Sequence, residues 1–245
     1  MELLITPRSL DIIIPVFNEA EVIVKTLDEI KGKVTIGYNI LIVYDFDEDT
    51  TIPVVENYIK ANQTSHIFLI KNNYKRGVLN AIKTGFEKAK SEAILVVMGD
   101  ASDDLAVVGQ MYHKLKEGND IVCGSRYMKG GSHIGGPVFK KFLSRMAGKS
   151  LHFLAGIPSH DVSNSFKLYR KSIIDDLKIE STGGFEIGME ILVKSFIRGK
   201  RITEVPSTWR DRTGGESKFK LFKWLPHYLH WYFLAIKYSW FHKKK

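Results

Sequence analysis

The sequence predicts an α/β fold, a mostly parallel sheet covered by helices on both faces, and three observations carry that prediction. Apolar, β-branched runs recur along the first half of the chain. Segments with helical periodicity separate them. Glycine, amide and acidic residues collect in the loops that follow the runs. Runs that are apolar throughout, instead of alternating, belong to a sheet buried on both faces.

The elements follow in order. Leu10 to Val16 is the first run, punctuated by Pro15, and Asn18-Glu19-Ala20-Glu21 opens an amphipathic segment to about Ile30 with Asn18 as its N-cap. Asn39 to Tyr44 is a second buried strand, followed by the acidic loop 45–50. Ile52 to Ala61 reads as a helix with Pro53 in its first turn. His66 to Ile70 is a third strand, and Gly77 to Ala89 a helix with Val78, Ala81, Ile82, Gly85 and Ala89 on one face. Ala93 to Met98 is a fourth strand running into Gly99-Asp100. Leu105 to Lys116 is a helix and Asp120 to Gly124 a short fifth strand. The second half is less regular: a glycine-rich stretch at 130–136, a basic amphipathic helix from Phe139 to Leu154, a strand from Ser163 to Tyr169, a helix from Phe185 to Arg198 and a strand from Arg201 to Val205 ended by Pro206.

With 245 residues, 44% hydrophobic and 26% charged, the chain suits one large globular core. Its single cysteine, Cys123, excludes a disulfide framework, suits a reducing compartment, and reads as a small buried hydrophobe. The start lacks the basic flank of a signal peptide, and no window approaches the ~18 to 20 apolar residues of a spanning helix. A formal net charge of +9 calls for anionic partners. No acid follows Glu216, and the chain ends in three lysines. In this tail Leu221, Trp224, Leu225, Tyr228, Tyr232, Ala235, Ile236 and Trp240 fall at helical spacing, with Pro226 expected to divide two short helices. Aromatic residues with lysines and no acids suit helices lying in a lipid headgroup layer, with packing on the core or in a dimer as the alternative.

In parallel sheets ligands sit beyond the carboxyl ends of the strands. There Asp100-Ala-Ser-Asp103-Asp104 follows a strand directly. Its carboxylates suit a divalent cation bridging a diphosphate, or else a capped turn. Asp45 and Glu19 in the neighbouring loops suit hydrogen bonds from a nucleobase or ribose, with Asp49 or Thr50 capping the helix at Ile52 as the plain alternative. A second constellation is cationic: Arg126, Lys140, Lys141, Arg145, Arg212 and Lys218. Guanidinium grips phosphate bidentately, and Arg126, Arg212 and Lys218 lie in Gly/Ser-rich loops. Glu186 and Glu190 read as structural, and as a base only if the acceptor is a hydroxyl. Asp161 reads as a loop residue ordering an acceptor site, or as a turn cap. The histidines show no metal-ligand spacing.

Ile13-Ile-Pro-Val-Phe-Asn-Glu19 resembles the opening motif of family 2 glycosyltransferases. Ile42-Val-Tyr-Asp45-Phe-Asp-Glu-Asp49-Thr, Asn73-Tyr-Lys-Arg-Gly77 and Val97-Met-Gly-Asp100-Ala-Ser-Asp-Asp104 resemble its later donor motifs, in the family's order. Gly124-Ser-Arg126-Tyr with Gly130-Gly131, His160-Asp161-Val-Ser-Asn-Ser-Phe-Lys-Leu-Tyr169 and Arg212-Thr-Gly-Gly-Glu-Ser217-Lys218 resemble the dolichyl- and polyprenyl-phosphate branch. The likeness covers roughly residues 10 to 220.

The resemblance implies a GT-A (nucleotide-diphospho-sugar transferase) fold over 1–218, and the tail's own pattern adds interfacial amphipathic helices at 219–245. It implies an inverting transfer from a GDP- or UDP-type sugar to polyprenyl or dolichyl phosphate, with Mg²⁺ or Mn²⁺ as cofactor. Pro15, Phe17, Glu19, Asp45, Arg76, Gly77, Asp100, Ala101 and Ser102 would contact the donor. Asp100, Ser102 and Asp104 would hold the metal. Arg126, Lys140, Ser217 and Lys218 would hold the acceptor phosphate, making Asp100, Arg126, Arg212 and Lys218 the catalytic set. Two departures stand out. Ser102 replaces the second Asp of the metal motif, and Tyr44 and Phe46 stand where relatives often have Asp and Gly. The expected place is the cytoplasmic face of a membrane, peripherally bound, with a separate membrane subunit or a homo-oligomer both compatible. Nucleic acid is not an expected partner. A hydroxyl acceptor using Glu190 and a non-catalytic sugar-nucleotide module are the rival readings.

Overall fold

The computed structural model describes residues 5–211 and 221–242. Its elements run β1 (Leu10–Pro15), α1 (Ile23–Lys33), β2 (Tyr38–Tyr44), α2 (Thr51–Asn62), β3 (Ile67–Lys71), α3 (Val78–Lys88), β4 (Ala93–Val96), a 3₁₀ turn (Leu105–Val107) leading into α4 (Val108–Lys116), and β5 (Ile121–Ser125). The second half holds β6 (Ser132–Ile134), α5 (Val138–Ser150) with a π-turn at Leu151–Ala155, β7 (Lys167–Arg170), α6 (Lys171–Asp176), α7 (Ile187–Ile197), β8 (Ile202–Pro206), β9 (Thr208–Arg210) and α8 (Leu221–His242).

Seven strands form one sheet in the order β3-β2-β1-β4-β7-β5-β8. All its pairings are parallel except those of β7, which runs antiparallel between β4 and β5. The mostly parallel reading therefore holds, with one reversed strand inside it. β6 and β9 form a separate parallel pair.

Alternate residues of each strand feed the two faces. Ile13, Leu41, Val43 and Ile94 meet α3, α7 and α8 on one side, and Ile12, Ile14, Ile40 and Ile42 meet α1, α2 and α4 on the other. Each fully buried Ile or Leu contributes roughly 1.5–3 kcal/mol. Helix α3 lies close on β1: a Cβ built on Gly85 would stand 2.4 Å from the Ile13 Cγ2 methyl. Cys123 is buried in β5, and burial pushes its thiol up to about 11.

Two local expectations fail. Asn18 is not a cap: it adopts a left-handed φ of 54°, and α1 begins five residues later at Ile23. The loop needs Asn18 for another purpose, because its N–H meets the Asp49 carboxylate and its side-chain oxygen accepts from Thr50 N at 3.1 Å. Pro226 does not divide the tail, which is one helix from Leu221 to His242 with the proline inside it. A proline there removes one helical hydrogen bond, and packing offsets that cost. Trp231, Ala235 and Ser239 are buried, while Phe233, Trp240 and Phe241 are exposed. The buried line therefore runs beside the stripe expected from spacing, and Trp240 points away from the core.

Candidate active site

Three loops at the carboxyl ends of β1, β2 and β3 are laced together. Glu19 N donates to the Thr51 hydroxyl at 2.9 Å, and Asp49 ties the first loop to the start of α2. Asp45 is fully engaged as an acceptor of local bonds: Asn72 Nδ2 at 2.7 Å and Gly77 N at 2.8 Å. It clasps the second loop to the head of α3, a role the expectation of ribose or base contact did not include. Gly77 has φ 132°, a conformation side chains rarely adopt, which puts its N–H where Asp45 accepts it. Beside this clasp Phe17 meets Phe46 edge-on with centroids 5.4 Å apart, and the Arg76 guanidinium lies 4.7 Å over the Phe46 ring. The unusual Phe46 thus builds an aromatic wall, one face of which Arg76 covers. Pro15 ends β1 in the core below it.

The loop after β4 carries the acidic cluster. Ala101 holds φ 55°, a costly conformation for a residue with a side chain. Asp100 accepts from both the backbone N–H and the hydroxyl of Ser102. Ser102 therefore braces Asp100 instead of facing outward as an independent ligand. Asp104 caps the 3₁₀ turn through Ala106 N at 3.3 Å and also accepts from Thr208 N at 3.4 Å. Asp103 is buried, as Asp100 is. Desolvation, then the charge of Asp100, pushes its carboxyl up to about 7. Among the described residues no group of three or more His, Cys, Asp or Glu side chains is arranged to hold a metal ion. The set still fits a hard divalent cation: its donors are carboxylate oxygens, and they repel one another in a way a cation would relieve. Asp100 is the natural first ligand, with diphosphate oxygens and water completing the sphere. Asp100 to Asp104 also line a cleft of about 330 Å³ with Ile134, Gly135, Arg210, Asp211 and residues of α1. The β6–β9 pair roofs this loop, Arg210 N donating to Ser102 O at 3.0 Å.

Behind the roof stands the cationic half. Arg126 grips Asp161 through Nε at 2.6 Å and Nη2 at 2.8 Å, and its backbone N–H donates to the same carboxylate at 3.0 Å. Burial would raise the Asp161 carboxyl, but the guanidinium beside it wins and holds it below the usual carboxylate range. Asp161 is therefore an ordering residue for Arg126 and not a turn cap. The Tyr127 hydroxyl meets His133 Nδ1 at 3.0 Å and the Ser144 hydroxyl, fixing α5 to this corner. Burial, then Arg126 and Lys141, lowers His133 to about 4, so it is neutral at pH 7. Lys141 Nζ donates to His133 O at 2.6 Å, while Arg145 is exposed and Lys140 half-buried on α5. At Gly148 helix α5 touches the Asp161 loop: a Cβ there would sit 1.9 Å from His160 O. Spacing gave no reason to single out Gly148 or His133. Arg212, Ser217 and Lys218 lie outside the described residues.

Glu186 and Glu190 are structural. Glu186 caps the Gly183 and Gly184 N–H groups, and Glu190 accepts from Glu180 N, Ser181 N and Lys194. A fully buried carboxylate so engaged is closed to a substrate proton.

Residues 11–178 match the family model described as Glycosyl transferase family 2. The chain belongs to that family. Among curated relatives, the dolichol-phosphate mannosyltransferase of Pyrococcus furiosus is 30% identical over 88% of this chain. This chain spans about three-fifths of that protein's length, 61%. The polyprenol monophosphomannose synthase of Mycolicibacterium smegmatis is 28% identical over 87% of this chain and 81% of its own. Among solved structures, glucosyl-3-phosphoglycerate synthase from Mycobacterium tuberculosis with uridine diphosphate superposes with a TM-score of 0.66, at 15% identity, over 95% of this chain and 80% of that one. That likeness shows the GT-A-type α/β fold.

Proposed function

We propose that this family 2 chain moves a sugar, with inversion, from a nucleoside diphosphate sugar of UDP or GDP type to a polyprenyl phosphate at the cytoplasmic face of a membrane. One observation carries the reading. One short segment ties the buried guanidinium of Arg126 to the acidic loop after β4: Ser207 N donates to Ser125 O beside Arg126, while Thr208 N and Arg210 N donate to Asp104 and Ser102. A phosphate held by one and a sugar diphosphate held near the other would meet between them. The Pyrococcus dolichol-phosphate mannosyltransferase and the Mycolicibacterium polyprenol monophosphomannose synthase support a lipid phosphate acceptor.

Phe17, Phe46 and Arg76 would border the base, and the Asp45–Gly77 clasp would hold that border rigid. Asp100 would anchor a divalent cation, which when bound neutralises diphosphate charge; neighbours of the same fold were solved with Mn²⁺ or Mg²⁺ and uridine diphosphate. An acceptor phosphate oxygen forms the bond to the anomeric carbon as the bond to the diphosphate breaks. An ionised phosphate needs no general base, consistent with the closed carboxylates of Glu186 and Glu190. Arg126, with Arg212, Ser217, Lys218 and Lys140, would orient it, so positioning and electrostatics supply most of the rate.

Two surfaces support membrane contact. Val138, Phe139, Phe142, Met146, Phe153 and Leu154 are exposed along α5 and its π-turn, in a stretch (127–160) with five Lys and Arg and no acid. Phe233, Trp240 and Phe241 are exposed on α8. Basic helices with an outward apolar face suit anionic headgroups. Among the described residues no helix is long and apolar enough to cross a membrane.

The test is incubation with radiolabelled nucleotide sugars, polyprenyl phosphate and Mg²⁺ or Mn²⁺, with and without EDTA. The expected product is a metal-dependent glycolipid. Its absence with UDP- and GDP-hexoses alike contradicts the reading.

A further inference from the structure

Lys167 is the buried charge that the reading above leaves unused. It lies on β7, the antiparallel strand between β4 and β5, and is 0% exposed. Its flanking partners in register are apolar: Val96 on β4 and Cys123 on β5. Its ammonium donates to the carbonyl oxygens of Val162 and Asn164. Both are neutral acceptors, and among the described residues no carboxylate pairs with it directly. An ammonium buried without an ion-pair partner is among the costliest placements a core can hold. A methionine or leucine would fill the same space more cheaply.

The surroundings show what the charge acts on. Both carbonyls belong to the loop that starts at Asp161, and Asn164 in turn donates to Gly124 O at 2.9 Å, two residues before Arg126. Lys167 thus closes a ring of bonds around the Arg126–Asp161 pair. The charge count matters equally. Asp161 is committed to Arg126 by three bonds, yet it is also the carboxylate that most favours the Lys167 ammonium. Asp161 therefore serves two buried cations, with Asp103 a weaker anion in the field of both. Burial weakens the Lys167 ammonium and Asp161 favours it, while the Cys123 thiol, pushed up to about 11, is uncharged near neutral pH.

We propose that Lys167 is a positioning residue of the acceptor-phosphate site, pinning the Asp161 loop by two carbonyls and supplying the positive charge that the Arg126–Asp161 pair lacks. This rests on the reading that Arg126 meets a phosphate. With Arg126 neutralised by Asp161, a phosphate would meet little net charge; the second ammonium restores the attraction from inside the core. Solvent ions screen such a charge far less than a surface lysine. At an effective dielectric of about 20 and a separation of several ångströms, its loss corresponds to roughly tenfold or more in phosphate affinity.

The test measures farnesyl phosphate and UDP or GDP affinity by calorimetry for the full chain and two variants. Lys167→Gln keeps hydrogen-bond donors and loses the charge; Lys167→Met loses both and removes a buried charge without leaving a partner ion behind. Farnesyl phosphate affinity is expected to fall about tenfold or more in both, furthest in the Met variant, with nucleotide affinity within about twofold of wild type. The wild-type to Lys167→Gln ratio should persist from low to high salt. Lys167→Gln carries the test if Lys167→Met does not fold. Unchanged farnesyl phosphate affinity in Lys167→Gln overturns the proposal, as does an equal loss of both ligands. Where the wild type binds prenyl phosphate, such a result removes only Lys167; a wild type with no affinity for it removes the acceptor reading as well.

Discussion

Gly148→Ala joins packing to function at one atom. Gly148 is the point where α5 presses on the Asp161 loop, and a Cβ there would lie 1.9 Å from His160 O, 2.7 Å from its carbonyl carbon and 3.3 Å from Asp161 Cα. Real Cβ contacts essentially never fall under 3.0 Å, so helix and loop must part by the difference, 1.1 Å or more. The obstacle is backbone, which cannot rotate away as a side chain can. Overpacking of this size costs about 1–3 kcal/mol. The displacement also moves Asp161, which orients Arg126, and a shift of about 1 Å at a positioning group can cost about 10²-fold in rate. Chemical denaturation should show the stability loss. Steady-state kinetics should show turnover falling by one to two orders of magnitude, about 10- to 100-fold, with donor affinity retained. Wild-type stability and wild-type turnover together would refute the reasoning, because they would mean that α5 and the loop are not in contact as described.

Other expectations follow from the same geometry. Asp161→Asn leaves Arg126 buried without its counter-charge and should cost about 3–5 kcal/mol by urea denaturation. The Asp161 carboxyl is held below its ordinary range, so its contribution is present above the unfolded pKa and is lost as pH falls through the folded one; the acid limb of a stability profile should flatten in Asp161→Asn. His133 is lowered from 6.5 to about 4, so the unfolded chain takes up its proton first and stability should fall as pH drops through that window; His133→Gln should remove this dependence from urea midpoints. Gly77→Ala forces a side chain into φ 132° and loosens the Asp45 clasp, so calorimetry should show weaker nucleotide binding, by roughly tenfold. Asp100→Ala should abolish any Mg²⁺- or Mn²⁺-dependent strengthening of nucleoside diphosphate binding while leaving the melting temperature near wild type.

The parallel framework was legible because buried strands write themselves as apolar runs such as Ile40–Val43, and because glycine and acid residues mark the strand ends. The reversed strand β7 was not. Ser163 to Tyr169 reads as a strand, but nothing in a single run states its direction, which is set by pairing with β4 and β5 far away in the chain. The acidic loop was legible as a cluster, yet its division of labour was not. Ser102 braces Asp100, Asp104 caps a turn and Asp103 carries the strained charge, and these roles depend on backbone bonds from Met98, Ala106 and Thr208. Asp45 was singled out for its residue type, while its bonds to Asn72 and Gly77 arise from the packing of three loops. Gly148 and Lys167 were invisible for a related reason: a glycine in a helix and a lysine in a strand acquire meaning only from what the rest of the fold places against them. The tail showed its aromatic content in sequence, but only packing on α7 and the π-turn decides which rings turn inward.

The central claim is that the nucleophile is an ionised phosphate oriented by Arg126. The most direct measurement compares matched acceptors, a polyprenyl phosphate and the corresponding polyprenyl alcohol, in the presence of the preferred nucleotide sugar and Mg²⁺ or Mn²⁺. The expected result is a glycosyl phosphate product with the phosphate alone, and loss of that product in Arg126→Gln with nucleotide binding intact. Equal transfer to the alcohol, or full activity in Arg126→Gln, would contradict it.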